Sequence, residues 1–248
     1  MPIIDNIIHA AGYGQPRRFI ETPIKTLELS TSVTLSLFKK MKSDGKYLFI
    51  STSEVYSGLN TPYHKETDIG TTNTTHYRSC YIEGKRCGEA ICYAYRTMGV
   101  DTKSVRLALA YGPGTRKNDQ RVINNFIEKA ILGKITMLDQ GRDERIYCYI
   151  QDAVGMMWNV FLSGKHPIYN IGGHSKTTIA GLAQKIAKLT DVAVQVPEDT
   201  ENFHKGAPSN VSLDLSLFEA EFNKSDYVSL DDGLKRTIEW QKYIYREK

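Results

Sequence analysis

The first half of the chain alternates short apolar runs with longer amphipathic segments, and this alternation constrains the fold more than any other feature. Residues 6–11 (NIIHAA), 46–51 (KYLFIS) and 102–109 (TKSVRLAL) are typical of strands, whereas residues 26–42 and 81–98 have apolar side chains near helical spacing. Strands that alternate with helices form a parallel sheet with helices on both faces. The sequence therefore predicts an α/β fold.

From residue 111 the pattern becomes irregular, because Gly112-Pro113-Gly114 interrupts the chain and shorter elements follow. We predict one large lobe over residues 1–110 and a smaller one over residues 111–248, with some later segments returning to the first lobe. The elements expected after residue 111 are helices at 121–132, 152–162, 179–190 and 230–245, strands at 135–138, 145–150 and 168–171, and a loop at 198–210.

Composition excludes several classes of function. The net charge of +4 comes from scattered basic residues, so we expect no nucleic-acid partner. No run of about 18 apolar residues is present, and the start lacks the pattern of a signal peptide, so we expect a cytoplasmic protein without a membrane span. The four cysteines form neither CxxC pairs nor zinc-like spacings with histidine, which predicts free thiols and no metal site.

Tyr81 and Lys85 are the pair on which we expect the chemistry to depend. Side chains four residues apart on a helix share a face. An ammonium beside a phenol stabilises the phenolate, so the pKa of Tyr81 is predicted to fall toward neutral. The phenolate would then take a proton from a sugar hydroxyl while a hydride leaves the same carbon. The alternative is a surface tyrosine beside a lysine.

Thr52, Ser53 and Glu54 follow the predicted strand at residues 46–51, at the edge of a parallel sheet where catalytic residues are expected. The two hydroxyls can hydrogen-bond a sugar hydroxyl or the Tyr81 phenolate, and Glu54 can act as a base or orient a sugar. The alternative is a turn that only caps the strand end.

Arg121 and Arg145 are candidate anion-binding residues. Arg121 precedes a predicted helix, whose N-terminus also favours an anion. The guanidinium of Arg145 suits a phosphate or carboxylate through two parallel hydrogen bonds. The alternatives are a solvated cation at Arg121 and a surface pair of Arg145 with Asp143 or Glu144.

Several motifs together carry a family resemblance. They are Pro23-Ile24-Lys25-Thr26-Leu27, Ser51-Thr52-Ser53-Glu54-Val55-Tyr56, Cys80-Tyr81-Ile82-Glu83-Gly84-Lys85-Arg86, Cys92-Tyr93-Ala94-Tyr95, Tyr111-Gly112-Pro113, Arg121-Val122 with Asn125-Phe126-Ile127, and Asn170-Ile171-Gly172. In these motifs the chain resembles the NAD-dependent epimerase/dehydratase family of extended short-chain dehydrogenases. Within that family it is most similar to the UDP-glucuronate decarboxylases.

The resemblance implies a partial Rossmann-type parallel sheet with a small C-terminal substrate-binding lobe. It also implies NAD as cofactor and a UDP-sugar as substrate. The sugar would be oxidised transiently at C4, most like UDP-glucuronate decarboxylation to UDP-xylose. A nucleotide-sugar 4-epimerase or 4,6-dehydratase is the alternative. A homodimer would form through the helix of Tyr81 and the helix before it.

The resemblance also implies residue roles. Tyr81 would be the base, Lys85 would hold the nicotinamide ribose, and Thr52, Ser53, Glu54 and Arg145 would complete the catalytic set, with Glu54 and Arg145 serving decarboxylation. The residues expected to bind the cofactor are Ala10, Ala11, Gly12, Ser51, Tyr81, Lys85 and Ala110. Those expected to bind the substrate are Tyr95, Arg121 and Arg145.

The glycine-rich phosphate fingerprint of the family is absent, since Gln15-Pro16 follows Gly12-Tyr13-Gly14. About 60 to 70 residues of the first βαβαβ half are expected to be missing. The strand at residues 6–11 would then be an exposed apolar edge. We expect a truncated record or gene. The alternatives are that another chain covers the edge or that the chain is poorly stable alone. A non-catalytic remnant that binds a sugar nucleotide or a partner chain is a further functional alternative.

Overall fold

The computed structural model describes residues 3–198 and 212–246, which form two compact units. The first unit takes its described residues from the segments Met1–Ala108, Val154–Ile171 and Ser212–Ser225. The second takes them from Leu109–Ala153, Gly172–Val211 and Asp226–Lys248. Each unit is therefore built from segments that are not contiguous in the sequence. The predicted loop at 198–210 lies outside the described residues except for Glu198.

The described part of the chain contains the following elements in chain order: β1 (Ile4–His9), α1 (Pro16–Glu21), α2 (Pro23–Ser30), α3 (Ser32–Phe38), β2 (Met41–Thr52), a 3-10 helix (Ser53–Tyr56), α4 (Ser79–Thr97), β3 (Asp101–Leu107), β4 (Leu109–Tyr111), α5 (Val122–Ile131), β5 (Lys134–Thr136), β6 (Glu144–Tyr149), α6 (Ile150–Ser163), β7 (Ile168–Ile171), β8 (Ser175–Thr178), α7 (Ile179–Thr190), β9 (Ala193–Gln195), α8 (Ser216–Phe222) and α9 (Leu230–Arg246). None of the helices among these described residues is long and apolar enough to cross a membrane.

A four-stranded parallel sheet organises the first unit, with strand order β1-β2-β3-β7. The consecutive residues Tyr47, Leu48 and Phe49 of β2 are each fully buried. Because successive side chains of a strand point to opposite faces, both faces of β2 are covered. This agrees with the parallel α/β arrangement predicted from the sequence.

Two glycines let α4 approach the sheet closely. A side chain at Gly88 would overlap the Phe49 ring, and a side chain at Gly84 would touch Leu27 and Ser30 of α2. The helix therefore packs tightly on β2 and α2. This packing fixes the place where α4 begins, near the carboxyl end of β2.

The predicted helix at residues 26–42 is wrong in its extent. The structure has two helices, α2 and α3, separated at Thr31, and β2 already begins at Met41. The hydroxyls of Thr26, Thr31 and Thr34 donate hydrogen bonds of 2.8–2.9 Å to carbonyl oxygens four residues earlier. Such bonds compete with the regular helix and bend it.

Other predicted boundaries also shift. The strand predicted at 102–109 is divided into β3 and β4, which belong to different sheets. The strand predicted at 6–11 spans Ile4–His9 instead. The short helix α1 was not predicted, because six residues with two arginines show no apolar periodicity.

The second unit contains two small sheets. One has strand order β4-β6-β8 with β6 and β8 antiparallel, and the other pairs β5 with β9. Its core is formed by side chains of β4, β5, β6, α5, α7 and α9, and its fully buried members are Ile127, Ile135, Leu182, Ala183, Ile186 and Leu234.

Candidate active site

The carboxyl end of β2 places Thr52, Ser53 and Glu54 in sequence at the start of the 3-10 helix. Thr52 is the N-cap residue of that helix, and its hydroxyl accepts a hydrogen bond from the backbone N–H of Glu54 at 3.3 Å. Thr52 is buried and the other two are half-buried. The turn therefore holds a hydroxyl and a carboxylate side by side.

Tyr81 lies in the first turn of α4, and the side chain of Thr52 is near enough to its phenol to lower the pKa of Tyr81 by hydrogen bonding. The structure thus brings together two of the predicted catalytic residues, which are 29 positions apart in the sequence. The ring of Tyr81 stacks on Phe19 of α1, with ring centroids 4.5 Å apart and planes inclined by 4°. Phe19 is 1% exposed, so it covers one face of the phenol ring.

The prediction that the pKa of Tyr81 falls toward neutral is wrong for this structure. Burial raises the pKa of Tyr81 to about 12, and this effect exceeds the lowering caused by the hydrogen bond from Thr52. The charges that act on the phenol are those of Glu54, which raises the pKa, and Arg78, which lowers it. The phenol is therefore protonated in this conformation.

Glu54 is held by Arg78, a residue that the sequence did not single out. The guanidinium Nε donates to Glu54 Oε2 at 2.9 Å, and Nη2 donates to Oε1. The two side chains are 8% and 19% exposed. This two-point pair fixes the orientation of the carboxylate. The 24-residue separation left no local signal by which the pair could be found.

The ammonium of Lys85 is buried against the sheet. Its Nζ donates to the carbonyl oxygen of Ile50 at 2.7 Å and lies 4.7 Å from the centroid of the Phe49 ring. Burial lowers the pKa of Lys85 to about 8, opposed by the negative charge of Glu89. Close contact with apolar groups therefore makes this amine easier to deprotonate than an exposed lysine.

Residues 10–12, which were predicted to bind the cofactor, follow β1 and are exposed. A Cβ atom at Gly12 would lie 3.4 Å from Nζ of Lys85. The missing side chain at Gly12 therefore leaves space beside a buried ammonium that makes one hydrogen bond to Ile50 and carries two further N–H groups. This space fits the ribose hydroxyls at the nicotinamide end of NAD.

The pyrophosphate end of NAD has no matching cradle in the described residues that follow β1. The next helix, α1, has only six residues, starts with Pro16, and has Gln15 as an N-cap residue without a side-chain capping bond. A helix N-terminus that binds phosphate presents free backbone N–H groups, and proline has none. The fit to NAD is thus limited to the nicotinamide half.

Ser51 was predicted as a cofactor residue, but its hydroxyl donates to Glu89 Oε1 at 2.5 Å in the interior. Glu89 also accepts hydrogen bonds of 2.8–3.2 Å from Arg106, and both charged side chains are at most 6% exposed. Arg106 donates further to the Tyr56 hydroxyl and to two carbonyl oxygens of the loop between the 3-10 helix and α4. This buried network stabilises the end of β2 and the 3-10 helix that carries Ser53 and Glu54.

Tyr95 is not brought to Tyr81. The two residues are 14 positions apart on α4, which corresponds to about 21 Å along the helix axis. The ring of Tyr95 stacks on Phe38 with centroids 3.9 Å apart and packs against the core cluster of the first unit. In this structure Tyr95 is a packing residue, and it does not join the group around Tyr81.

Three predicted site residues belong to the second unit. Ala110 pairs with Cys148 between β4 and β6. Arg145 of β6 pairs with Asp143 at 3.0 Å and donates a hydrogen bond to the carbonyl oxygen of Glu144, and its side chain is 15% exposed.

Arg121 is the N-cap residue of α5, and its guanidinium pairs with Asp119 at 2.8 Å while its side chain is 43% exposed. Asp119 accepts hydrogen bonds from the backbone N–H of Arg121, from the guanidinium Nε, which contacts both carboxylate oxygens, and from Nη2. The hydrogen bonds to the N-cap residue lower the pKa of Asp119 below its ordinary value, against the opposing effect of burial. A carboxylate two residues before the arginine is a signal that the sequence analysis missed.

Comparison with known proteins places these features in a family. The model of the NAD dependent epimerase/dehydratase family matches residues 3–172. UDP-glucuronic acid decarboxylase 1 of Xenopus tropicalis is 30% identical over 240 residues, which are 96% of this chain and 56% of that protein. The chain thus spans little more than half the length of this curated relative.

Solved structures share the fold. UDP-glucose 4-epimerase from Thermotoga maritima, solved with UDP-glucose, superposes with a TM-score of 0.83 at 22% identity and covers 97% of this chain and 78% of that one. UDP-glucuronic acid 4-epimerase from Bacillus cereus, in complex with UDP-glucuronic acid and NAD, has a TM-score of 0.80 at 22% identity. The match covers 98% of this chain and 76% of that one.

These likenesses confirm the Rossmann-type fold that the motifs predicted. The family model covers well over half of the chain and includes Thr52, Tyr81 and Lys85. The chain belongs to the NAD-dependent epimerase/dehydratase family.

Proposed function

We propose that this chain acts on a nucleotide sugar with NAD as cofactor, by transient oxidation of the sugar at C4. The observation that carries the proposal is the meeting of Tyr81 with Thr52 at the carboxyl end of β2, where the Thr52 side chain lowers the pKa of the phenol and the Glu54 carboxylate lies beside it. A hydroxyl, a phenol and a carboxylate at one sheet edge suit the handling of sugar hydroxyls.

Each residue of this site has a separate role in the proposed reaction. Tyr81 is a protonated phenol in the ligand-free structure, so the proposed reaction requires that it first lose this proton to solvent. The resulting phenolate then takes the proton of the C4 hydroxyl, and the Thr52 hydroxyl stabilises the phenolate by hydrogen bonding. NAD, when bound, supplies the acceptor for the hydride that leaves C4. Lys85 and the backbone of residues 10–12 would hold the nicotinamide ribose.

UDP-glucuronate decarboxylation is the reaction that we favour. Oxidation at C4 places a ketone β to the carboxylate on C5, so the sugar becomes a β-keto acid. When carbon dioxide leaves, the electron pair of the broken carbon–carbon bond moves onto the C4 oxygen and forms an enolate. Tyr81, now protonated, and Thr52 can donate hydrogen bonds to that oxygen and stabilise the negative charge. The curated relative named above is a decarboxylase, and the Thr-Ser-Glu sequence resembles that subgroup. Arg145 remains the proposed partner of the substrate carboxylate.

Incubation of the full chain with NAD and, separately, UDP-glucuronate, UDP-glucose and UDP-galactose tests the proposal. Release of carbon dioxide from UDP-glucuronate alone identifies a decarboxylase, and interconversion of the two hexoses identifies a 4-epimerase. The Tyr81→Phe variant is the matched control and should lose turnover. Absence of both turnover and cofactor binding with every sugar would refute the enzyme for this chain.

A binding protein without turnover is the second candidate, and the poor pyrophosphate fit at α1 favours it. Each lost hydrogen bond to a charged phosphate weakens binding by about 1–3 kcal/mol, so NAD affinity can fall by several orders of magnitude. Calorimetry with NAD and with UDP-sugars separates the two candidates. Micromolar NAD binding contradicts the second candidate, whereas UDP-sugar binding without NAD binding supports it.

A further inference from the structure

We propose that Arg78 is a positioning residue of this site, which holds Glu54 and Phe19 in place around the Tyr81 phenol. The inference rests on the proposed role of Tyr81 as the proton acceptor. It adds to that proposal a cation that acts from the residue immediately before α4, one turn before Tyr81 and seven residues before Lys85.

The first support is the geometry of the ion pair. Arg78 presents two N–H groups to the two oxygens of Glu54, and both side chains are largely buried. A two-point contact restricts rotation of the carboxylate far more than a single point charge would. Glu54 therefore has one defined orientation, next to the Thr52 hydroxyl that its own backbone N–H binds.

The second support is the position of Arg78 at the helix start. Its carbonyl oxygen accepts hydrogen bonds from the N–H groups of Tyr81 and Ile82 at 3.0 and 3.1 Å. The N-terminus of a helix carries partial positive charge and disfavours a cation. The Glu54 carboxylate supplies a negative charge that compensates for the guanidinium of Arg78 and for the positive end of the helix. The Glu54 carboxylate, together with the side chain of Tyr77, therefore stabilises the buried charge of Arg78 at this point.

The third support is the shared contact with Phe19. The guanidinium carbon of Arg78 lies 4.9 Å from the centroid of the Phe19 ring, and the same ring stacks on Tyr81. Arg78 and Tyr81 are three residues apart and so lie on one side of the helix. Arg78 thus touches the carboxylate, the aromatic cover and the turn that carries the phenol.

The charges of the pair act on Tyr81 in opposite directions. Glu54 raises the pKa of Tyr81 and Arg78 lowers it, so the two charges oppose each other. Removing only Arg78 leaves the phenol beside an uncompensated carboxylate. Removing only Glu54 leaves it beside an uncompensated guanidinium. If Arg78 had a purely structural role, removal of Arg78 and removal of Glu54 would not change the pKa of Tyr81 in opposite directions.

Nuclear magnetic resonance of the full chain, labelled with ¹³C at the tyrosine Cζ atoms and free of ligand, tests this. The Tyr81→Phe variant assigns the resonance of Tyr81, and exposed Tyr243 serves as the internal reference. In an alkaline titration, Glu54→Gln should move the Tyr81 midpoint down by about one pH unit, and Arg78→Gln should move it up by a similar amount. The double variant should return close to the wild type.

Arg78→Lys keeps a point charge but loses the two-point contact. Its Tyr81 midpoint should remain near that of the wild type, and this variant keeps the test decisive if Arg78→Gln does not fold. The inference is overturned if the Tyr81 midpoint is the same in the wild type, Glu54→Gln and Arg78→Gln. If Arg78→Gln does not fold, equal midpoints in the wild type and Glu54→Gln overturn it.

Kinetics separate the inference from the function on which it rests. If the wild type turns over a UDP-sugar, Arg78→Gln should reduce kcat by about 10- to 100-fold with a smaller change in KM, and Arg78→Lys should restore part of kcat. Arg17→Gln, at an exposed arginine of α1, is the matched control and should leave kcat unchanged. An Arg78→Gln enzyme with the wild-type kcat contradicts the inference, and a wild type without turnover counts only against the proposed function.

Discussion

The rings of Phe19 and Tyr81 lie parallel, with centroids 4.5 Å apart and planes inclined by 4°. Phe19 is buried and comes from the six-residue helix α1, whereas Tyr81 comes from the long helix α4. The stack covers one face of the half-buried Tyr81 ring, and burial is the largest cause of the raised pKa of Tyr81. The protonation state of Tyr81 therefore depends on a residue outside its own helix.

Replacing Phe19 by alanine should lower the pKa of Tyr81 from about 12 toward the ordinary value near 10, because water would reach the phenol and stabilise its charged form. The measurement is the alkaline titration of the Tyr81 resonance described above. Ile20→Ala, at an exposed neighbour on the same helix, is the control and should leave the titration unchanged. Equal midpoints in Phe19→Ala and wild type would show that the stack does not control the ionisation.

Lys85 should destabilise the fold at neutral pH. Its pKa is lowered to about 8 by burial, below the ordinary 10.5, so the unfolded chain binds the proton more tightly than the folded one. Below pH 8 the penalty is fully present, at up to about 3 kcal/mol, and it disappears as the pH rises toward 10.5.

Lys85→Met should therefore raise the free energy of unfolding at pH 7 relative to the wild type, and the advantage should shrink by pH 10. Urea unfolding at the two pH values measures this, with Lys25→Met at an exposed position as control. A Lys85→Met variant that is less stable than the wild type at pH 7 would contradict the expectation, and it would mean that the bond to Ile50 outweighs burial.

The buried pair of Glu89 and Arg106 should be sensitive to single substitution. Glu89→Gln leaves a buried guanidinium with a neutral partner and should cost about 3–5 kcal/mol in the free energy of unfolding. The exposed pair of Arg17 and Glu21 supplies the control, since Glu21→Gln should change stability little. Chemical denaturation of Glu89→Gln and Glu21→Gln measures their free energies of unfolding. Equal stabilities would mean that water reaches the interior pair.

Two helix glycines should respond oppositely to alanine. A methyl group at Gly88 would overlap the Phe49 ring, so Gly88→Ala should cost about 1–3 kcal/mol. Gly155 lies within α6, and among the described residues no atom beyond the backbone of that helix comes within 4 Å of the place of its Cβ, so Gly155→Ala should stabilise the chain by up to about 1 kcal/mol. Thermal unfolding compares the variants, and the same sign of change for both would refute this account of the close approach of α4.

The sequence predicted the residues that meet at the sheet edge, but not the environment that sets their chemistry. Thr52 and Tyr81 could be paired because one ends a strand and the other begins the helix that returns to it. The ionisation of Tyr81 was predicted wrongly because its main determinant is burial, and the ring that stacks on it, Phe19, belongs to a helix too short to show periodicity. Effects of burial by distant residues leave no local pattern.

Charged groups illustrate the same limit. Lys85 was expected to act on the phenol four residues before it, but its ammonium instead binds the carbonyl oxygen of Ile50. Glu54 was expected to be available as a base, but a loop of the chain brings Arg78 to it. Spacing along a helix predicts which side chains share a face, whereas the partner of a long flexible side chain is decided by tertiary packing.

The interior position of Glu89 and Arg106 also has a consequence for how related sequences can diverge. Exchange of either residue alone would leave the other charge buried without its partner. Exchange of both removes that uncompensated charge and costs only the hydrogen bonds that the pair makes to Ser51, Tyr56 and two carbonyl oxygens. Descendants of this gene are therefore expected to retain the two codons together or to lose them together. Their joint inheritance would be visible in an alignment as covariation across 17 positions.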